Sequence, residues 1–76
     1  MNWWKVTARF TGAVAGQPAR CNVGDFLYGE PPVAAVWWDA EHHEWTFIAK
    51  SGWVGSDRGL EYAMRLASGD IYEAGK

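Results

Sequence analysis

The strongest hydrophobic pattern in the chain spans residues 33–54, where an apolar run VAAVWW (33–38) and a second run WTFIA (45–49) flank the charged segment DAEHHE (39–44). β-branched and aromatic residues fill both runs, and a polar connector of that length suits a hairpin. In the second run Trp45, Phe47 and Ala49 share one face, with Thr46, Ile48 and Lys50 opposite. Neither strand is purely amphipathic. The hairpin is therefore expected to be covered on both faces, by a helix on one and by a loop or a second subunit on the other.

Residues 2–11 alternate, with Trp4, Val6, Ala8 and Phe10 on one face and Lys5, Thr7, Arg9 and Thr11 on the other. This period predicts one half-buried strand, with Trp3 on its polar face packing against a sheet edge or a neighbouring chain. Residues 12–32 are punctuated by glycine and proline, so any structure there is short. Residues 19–23 and 25–28 suggest a strand broken by a bulge at Gly24 and paired with the first, or an excursion loop; Glu30-Pro31-Pro32 suggests an extended entry into the hairpin.

Gly55-Ser56-Asp57 reads as a helix start, with Ser56 or Asp57 accepting a first-turn N–H. Leu60, Ala63, Met64 and Ala67 then form an apolar stripe at helical period. Glu61 precedes Arg65 by four residues, the favourable order, and Gly69 supplies a left-handed cap. Ile71 and Tyr72 are placed to dock, and fraying is expected from Glu73 onward, so residues 70–76 read as a partly flexible tail.

Composition narrows the function. A chain of 76 residues is one small domain, and with one cysteine it has no internal disulfide to compensate for a small core. Six tryptophans are the evident substitute. A net charge of −2 argues against binding that works by neutralising phosphates. The opening residues MNWWKVTARF lack a charged segment followed by an apolar one, and no apolar run approaches the ~18 residues of a membrane span, so a reducing cytoplasmic location is expected.

Asp39, Glu41, His42, His43 and Glu44 form the one dense cluster of metal-ligand type. Adjacent histidines on a strand point to opposite faces and no distant histidine completes a site, so no metal is assigned. The cluster reads as a solvated acidic tip able to meet a basic partner. Cys21 lacks a nearby base and reads as a small buried hydrophobe. No phosphate loop, dinucleotide fingerprint or triad is present, so neither a catalytic residue nor a cofactor is assigned and an enzyme is not expected. The pairs Trp3-Trp4 and Trp37-Trp38 each send one indole to either side of a strand, which leaves a ring per pair for a surface or interface. The alternative is a stacking platform for single-stranded nucleic acid built from Trp3, Lys5, Arg9 and Lys50 on one polar sheet face.

In general character the chain resembles the very small phage-encoded proteins that block host defence, anti-CRISPR proteins among them. The shared features are a short acidic chain and an antiparallel sheet followed by a short helix, here DRGLEYAMRLA (57–67). The resemblance implies a protein that occupies a surface of a multi-subunit RNA-guided complex and blocks target DNA or nuclease recruitment without turnover. Asp39, Glu41 and Glu44 would then fill a site meant for phosphate. The stretch VGDFLYG (23–29) before a Trp-rich hairpin is similar to SH3-like barrels, but the peptide-groove pattern is incomplete and a terminal helix does not belong there.

Together these readings predict an α+β fold, a three- or four-stranded antiparallel sheet with one C-terminal helix packed on a face. The expected function is a non-enzymatic, protein-binding inhibitor using Asp39, Glu41, His42, His43, Glu44, Trp37 and Trp3. A homodimer or a phage structural subunit is the further alternative; neither a membrane nor direct nucleic-acid binding is expected.

Overall fold

A computed structural model describes residues 2–71, so the expectations for Tyr72 and the tail beyond it lie outside the described residues. Seven strands precede one helix: β1 (Trp3–Lys5), β2 (Phe10–Val14), β3 (Gln17–Cys21), β4 (Phe26–Tyr28), β5 (Ala34–Asp39), β6 (Glu44–Ile48), β7 (Val54–Asp57) and α1 (Leu60–Ser68). The class is α+β, with five antiparallel strands in the order β1-β4-β5-β6-β7 and a separate two-stranded ribbon, β2-β3. The larger strand count comes from the glycine-punctuated region and from β7.

The predicted first strand is in fact two. Trp3 faces Tyr28 and Lys5 faces Phe26 in the large sheet, while Phe10 faces Cys21 and Val14 faces Gln17 in the ribbon. These pairs keep a single register, so residues 3–28 are one long hairpin bent at its middle. The bend is held at Val6, whose N–H donates to the Asp25 carbonyl at 2.8 Å and whose carbonyl accepts from Gly24 at 3.0 Å. Gly24, at φ of +97°, and Asp25 both stand opposite Val6, so the strand is broken by a bulge with glycine in the left-handed conformation, at the position the sequence predicted. Ala15 and Gly16, both at positive φ, form the two-residue turn at the hairpin's end, as expected where strands twist right-handedly.

Bending folds the ribbon over the large sheet. Val6, Val14, Ala19 and Cys21 are buried with Leu27, Ala35 and Ile48 of the sheet, and Phe10 and Trp37 pack against them. On the opposite face Ala34, Val36 and Phe47 are buried under Ala63, Leu66 and Ala67 of α1. The central hairpin is thus covered on both sides, by the helix and by the chain's own ribbon.

Three local expectations are corrected. Trp3 and Trp4 lie on opposite faces as the alternation predicted, but Trp3 packs against the helix-side core and Trp4 is left 40% exposed; the bend after Val6 then ends the alternation, so Ala8 is exposed. Residues 29–32 form a turn and not an extended entry, because β4 and β5 are antiparallel neighbours; Glu30-Pro31 is cis and the Val33 N–H returns to the Tyr28 carbonyl at 2.8 Å. Residues 54–57 form the fifth strand instead of opening the helix. Gly55 lies against the Phe47 ring, where a β-carbon would come within 2.7 Å, and the Ser56 hydroxyl donates to Glu44 Oε2 at 2.8 Å instead of accepting from the helix.

Asp57 still acts just ahead of α1, accepting the Gly59 N–H at 2.8 Å. At the other end Gly69, at φ of +85°, donates to Leu66 and Asp70 donates to Arg65, which closes the helix as the glycine predicted. Ile71 packs against the helix-side core.

Candidate functional site

The β5–β6 hairpin ends in the four-residue connection Ala40 to His43, bracketed by the facing pair Asp39 and Glu44. Its shape is set by Asp39. Oδ1 accepts the N–H groups of Glu41 at 3.1 Å and His42 at 3.3 Å, the local bonding by which an aspartate starts a turn. Oδ2 lies 2.8 Å from His42 Nδ1. The hydrogen bond to Asp39 is the main reason His42 is raised above the ordinary histidine range, and the same bond lowers Asp39. His43 closes the connection at φ of +54°.

That conformation brings the His43 ring against Trp38, with centroids 6.3 Å apart. Trp38 also meets its cross-strand partner Trp45 edge-on at 5.2 Å. Trp38 is 41% exposed, on the helix side of the sheet, and Trp45 is half-buried beside it. The hairpin therefore ends in an indole held on the helix side by Trp45 and His43, while the facing pair Asp39 and Glu44, next along each strand, projects from the opposite face. Its backbone is anchored from behind by the N–H of Trp38, which donates to the buried Asp25 carboxylate at 3.1 Å.

Donor atoms of Asp39, Glu41 and His42 come within 4.8 Å of one another. The bond from His42 Nδ1 to Asp39 Oδ2 accounts for that proximity, and His43 turns to Trp38, so the geometry is that of a self-bonded turn. Cys21 is wholly buried in the ribbon-side core, which pushes its thiol up to about 12 and keeps it from acting as a nucleophile near neutral pH.

The remaining sequence-predicted residues lie elsewhere. Trp37 is half-buried under the ribbon. Trp3 aligns through Tyr28 with Ala34, at the far end of β5 from the acidic tip, and its ring meets Tyr28 at 5.0 Å. Lys5 stands 5.8 Å over Phe26 and Lys50 5.6 Å over Tyr28, on the same helix side as Trp3. Arg9 is not with them. It adjoins the ribbon on the opposite side of the sheet, beside Arg20. The sequence reading missed Trp38 and Arg20. The alternation Pro18, Arg20, Asn22 against the buried Ala19 and Cys21 carried the signal for Arg20, whereas nothing local distinguishes Trp38 from Trp37.

Protein-family models, curated proteins and solved structures give no match to this chain. Among the described residues no helix is long and apolar enough to cross a membrane.

Proposed function

We propose that this chain is a non-enzymatic protein-binding inhibitor whose contact surface is the β5–β6 tip. The observation that carries the reading is Trp38, a large ring left 41% exposed yet fixed between Trp45 and His43. An exposed indole that is already immobile loses little freedom on binding, and tryptophan is the residue most enriched among interface hot spots. Asp39 and Glu44, on the face opposite the ring, and Glu41 at the hairpin's end make the tip acidic, which steers it to a basic surface. Following the sequence resemblance, the partner is a subunit of an RNA-guided, CRISPR-type complex, and the acidic tip occupies a surface built for phosphate.

The test is capture from a bacterial lysate on tagged protein, with and without nuclease, followed by affinity measurement on the purified partner. A discrete complex that survives nuclease and binds Trp38→Ala or the triple charge reversal D39K/E41K/E44K at least tenfold more weakly supports the reading. Wild-type affinity in both variants would remove the tip from the mechanism. Capture that disappears with nuclease would replace the reading with nucleic-acid binding, and recovery of the chain alone would replace it with self-association.

A further inference from the structure

The outward face of the β2–β3 ribbon carries a second feature, unrelated to the hairpin tip. Arg9, Thr11, Arg20 and Asn22 line an open cleft of about 510 Å³. Thr11 and Arg20 are direct cross-strand partners, and Arg9 and Asn22 continue the same face past the end of the paired segment. The inward positions, Val14, Ala19 and Cys21, are buried, so all four polar side chains are left facing water.

Among the described residues no carboxylate lines the cleft. Asp25, three residues from Asn22, is buried, and its two oxygens accept the main-chain N–H groups of Asn22 and Trp38. Among the described residues the ion pair within 4.0 Å is His42 with Asp39, and neither arginine takes part in it. Arg9 and Arg20 are diagonal neighbours on one exposed face of the ribbon, and among the described residues no carboxylate pairs with either. Their forked donors suit a tetrahedral oxyanion, which a pair of guanidinium groups can neutralise and grip from two sides.

We infer that this cleft binds the phosphate group of a small phosphorylated molecule, with Arg9 and Arg20 as its anion ligands and Thr11 and Asn22 bonding the remainder. A volume of about 510 Å³ exceeds a bare anion and falls in the size range of small-molecule sites. Among the described residues the lining has no aromatic side chain for bases to stack on and two cations, which favours a compact ligand over a nucleic-acid strand. The inference stands apart from the hairpin tip, so either can fail without the other.

Titration of the ¹⁵N-labelled chain with adenosine monophosphate, inorganic phosphate and adenosine tests it, reading the Arg Nε–Hε and Asn side-chain signals. The Arg9 and Arg20 signals should move with both phosphate-bearing probes and stay still with adenosine. The Asn22 amide should move with the nucleotide. Arg9→Gln and Arg20→Gln should each weaken nucleotide binding about tenfold or more, as expected for loss of a charge-assisted bond. Both residues are exposed, so unchanged tryptophan fluorescence and unfolding midpoint will show that the variants fold. Three results would overturn the assignment: no arginine shift at millimolar phosphate, equal binding by R9Q/R20Q, or a single-stranded oligonucleotide that binds far more tightly than the nucleotide.

Discussion

Asp25 and Trp38 are thirteen residues apart, and the carboxylate of the first accepts the main-chain N–H of the second at 3.1 Å. Strand β4 stops at Phe26, opposite Val36, so the end of β5 has no neighbouring backbone on that side. The Asp25 side chain takes the place of the missing strand. Its other oxygen accepts the Asn22 N–H at 2.8 Å, and its own carbonyl accepts from Val6, so one residue pins the bend of the long hairpin to the central strand. Replacing Asp25 with Ala leaves two main-chain donors without acceptors and should destabilise the fold by about 2–4 kcal/mol. Urea unfolding followed by tryptophan fluorescence measures this, and a loss below ~1 kcal/mol would mean that the corner holds without it.

Gly55 gives a test of the helix-side core. Its absent side chain makes room for the Phe47 ring, which stands edge-on to Trp53 at 5.1 Å and is itself fully buried. Gly55→Ala puts a methyl group where there is only 2.7 Å of space and should cost about 1–3 kcal/mol. The double variant with Phe47→Leu should recover part of that loss if the ring is the obstacle.

The ribbon turn can be improved. Ala15 sits at φ of +50°, a conformation that asparagine tolerates better than alanine, and Asn-Gly is the favoured pair for this turn. Ala15→Asn is expected to raise stability by roughly 0.5–1 kcal/mol. Over a chain of this size that is a rise of several degrees in melting temperature, readable by calorimetry. A lowered melting point would show that the turn is held by contacts other than its own backbone preference.

Trp38→Ala separates the tip's function from its stability. The ring lies outside both buried clusters, so the variant should unfold within about 1 kcal/mol of wild type while losing about 2 kcal/mol or more of partner affinity. Phe47→Ala supplies the contrast, with an expected stability loss of ~3–5 kcal/mol.

The tip also has a pH signature. His42 is raised by its bond to Asp39, so its contribution is complete below the unfolded histidine value and fades as pH rises through the folded one. Asp39 is lowered by the same bond, and its contribution is present above the unfolded carboxylate value and lost as pH falls through the folded one. The turn should be best ordered between these limits, in mildly acidic solution. NMR titration should find His42 above a free histidine, and Asp39→Asn should return it towards the free value. Screening of so exposed a pair keeps the effect on global stability small.

Much of this molecule was legible in the sequence. Period-two alternation and a polar connector located the central hairpin, a helical stripe and Gly69 located α1 and its end, and apolar residues on both faces of one hairpin required cover on both sides. These signals are local, because a side chain's direction along a strand or helix follows from backbone geometry alone. Which layer each face meets is decided by segments far apart in the chain. The alternation in residues 2–11 was real until Val6, where a bend stabilised by Asp25 and Gly24 turned one strand into two. That bend carried Arg9 away from Trp3 and Lys5 to stand beside Arg20, and it placed Trp37 under the ribbon while Trp38 stayed in water. The sequence by itself determined that the chain has a two-faced hairpin, a closing helix and more indole than its core can hide. Only the tertiary structure decided which rings and which charges reach the surface together, because that depends on long-range packing around a buried carboxylate.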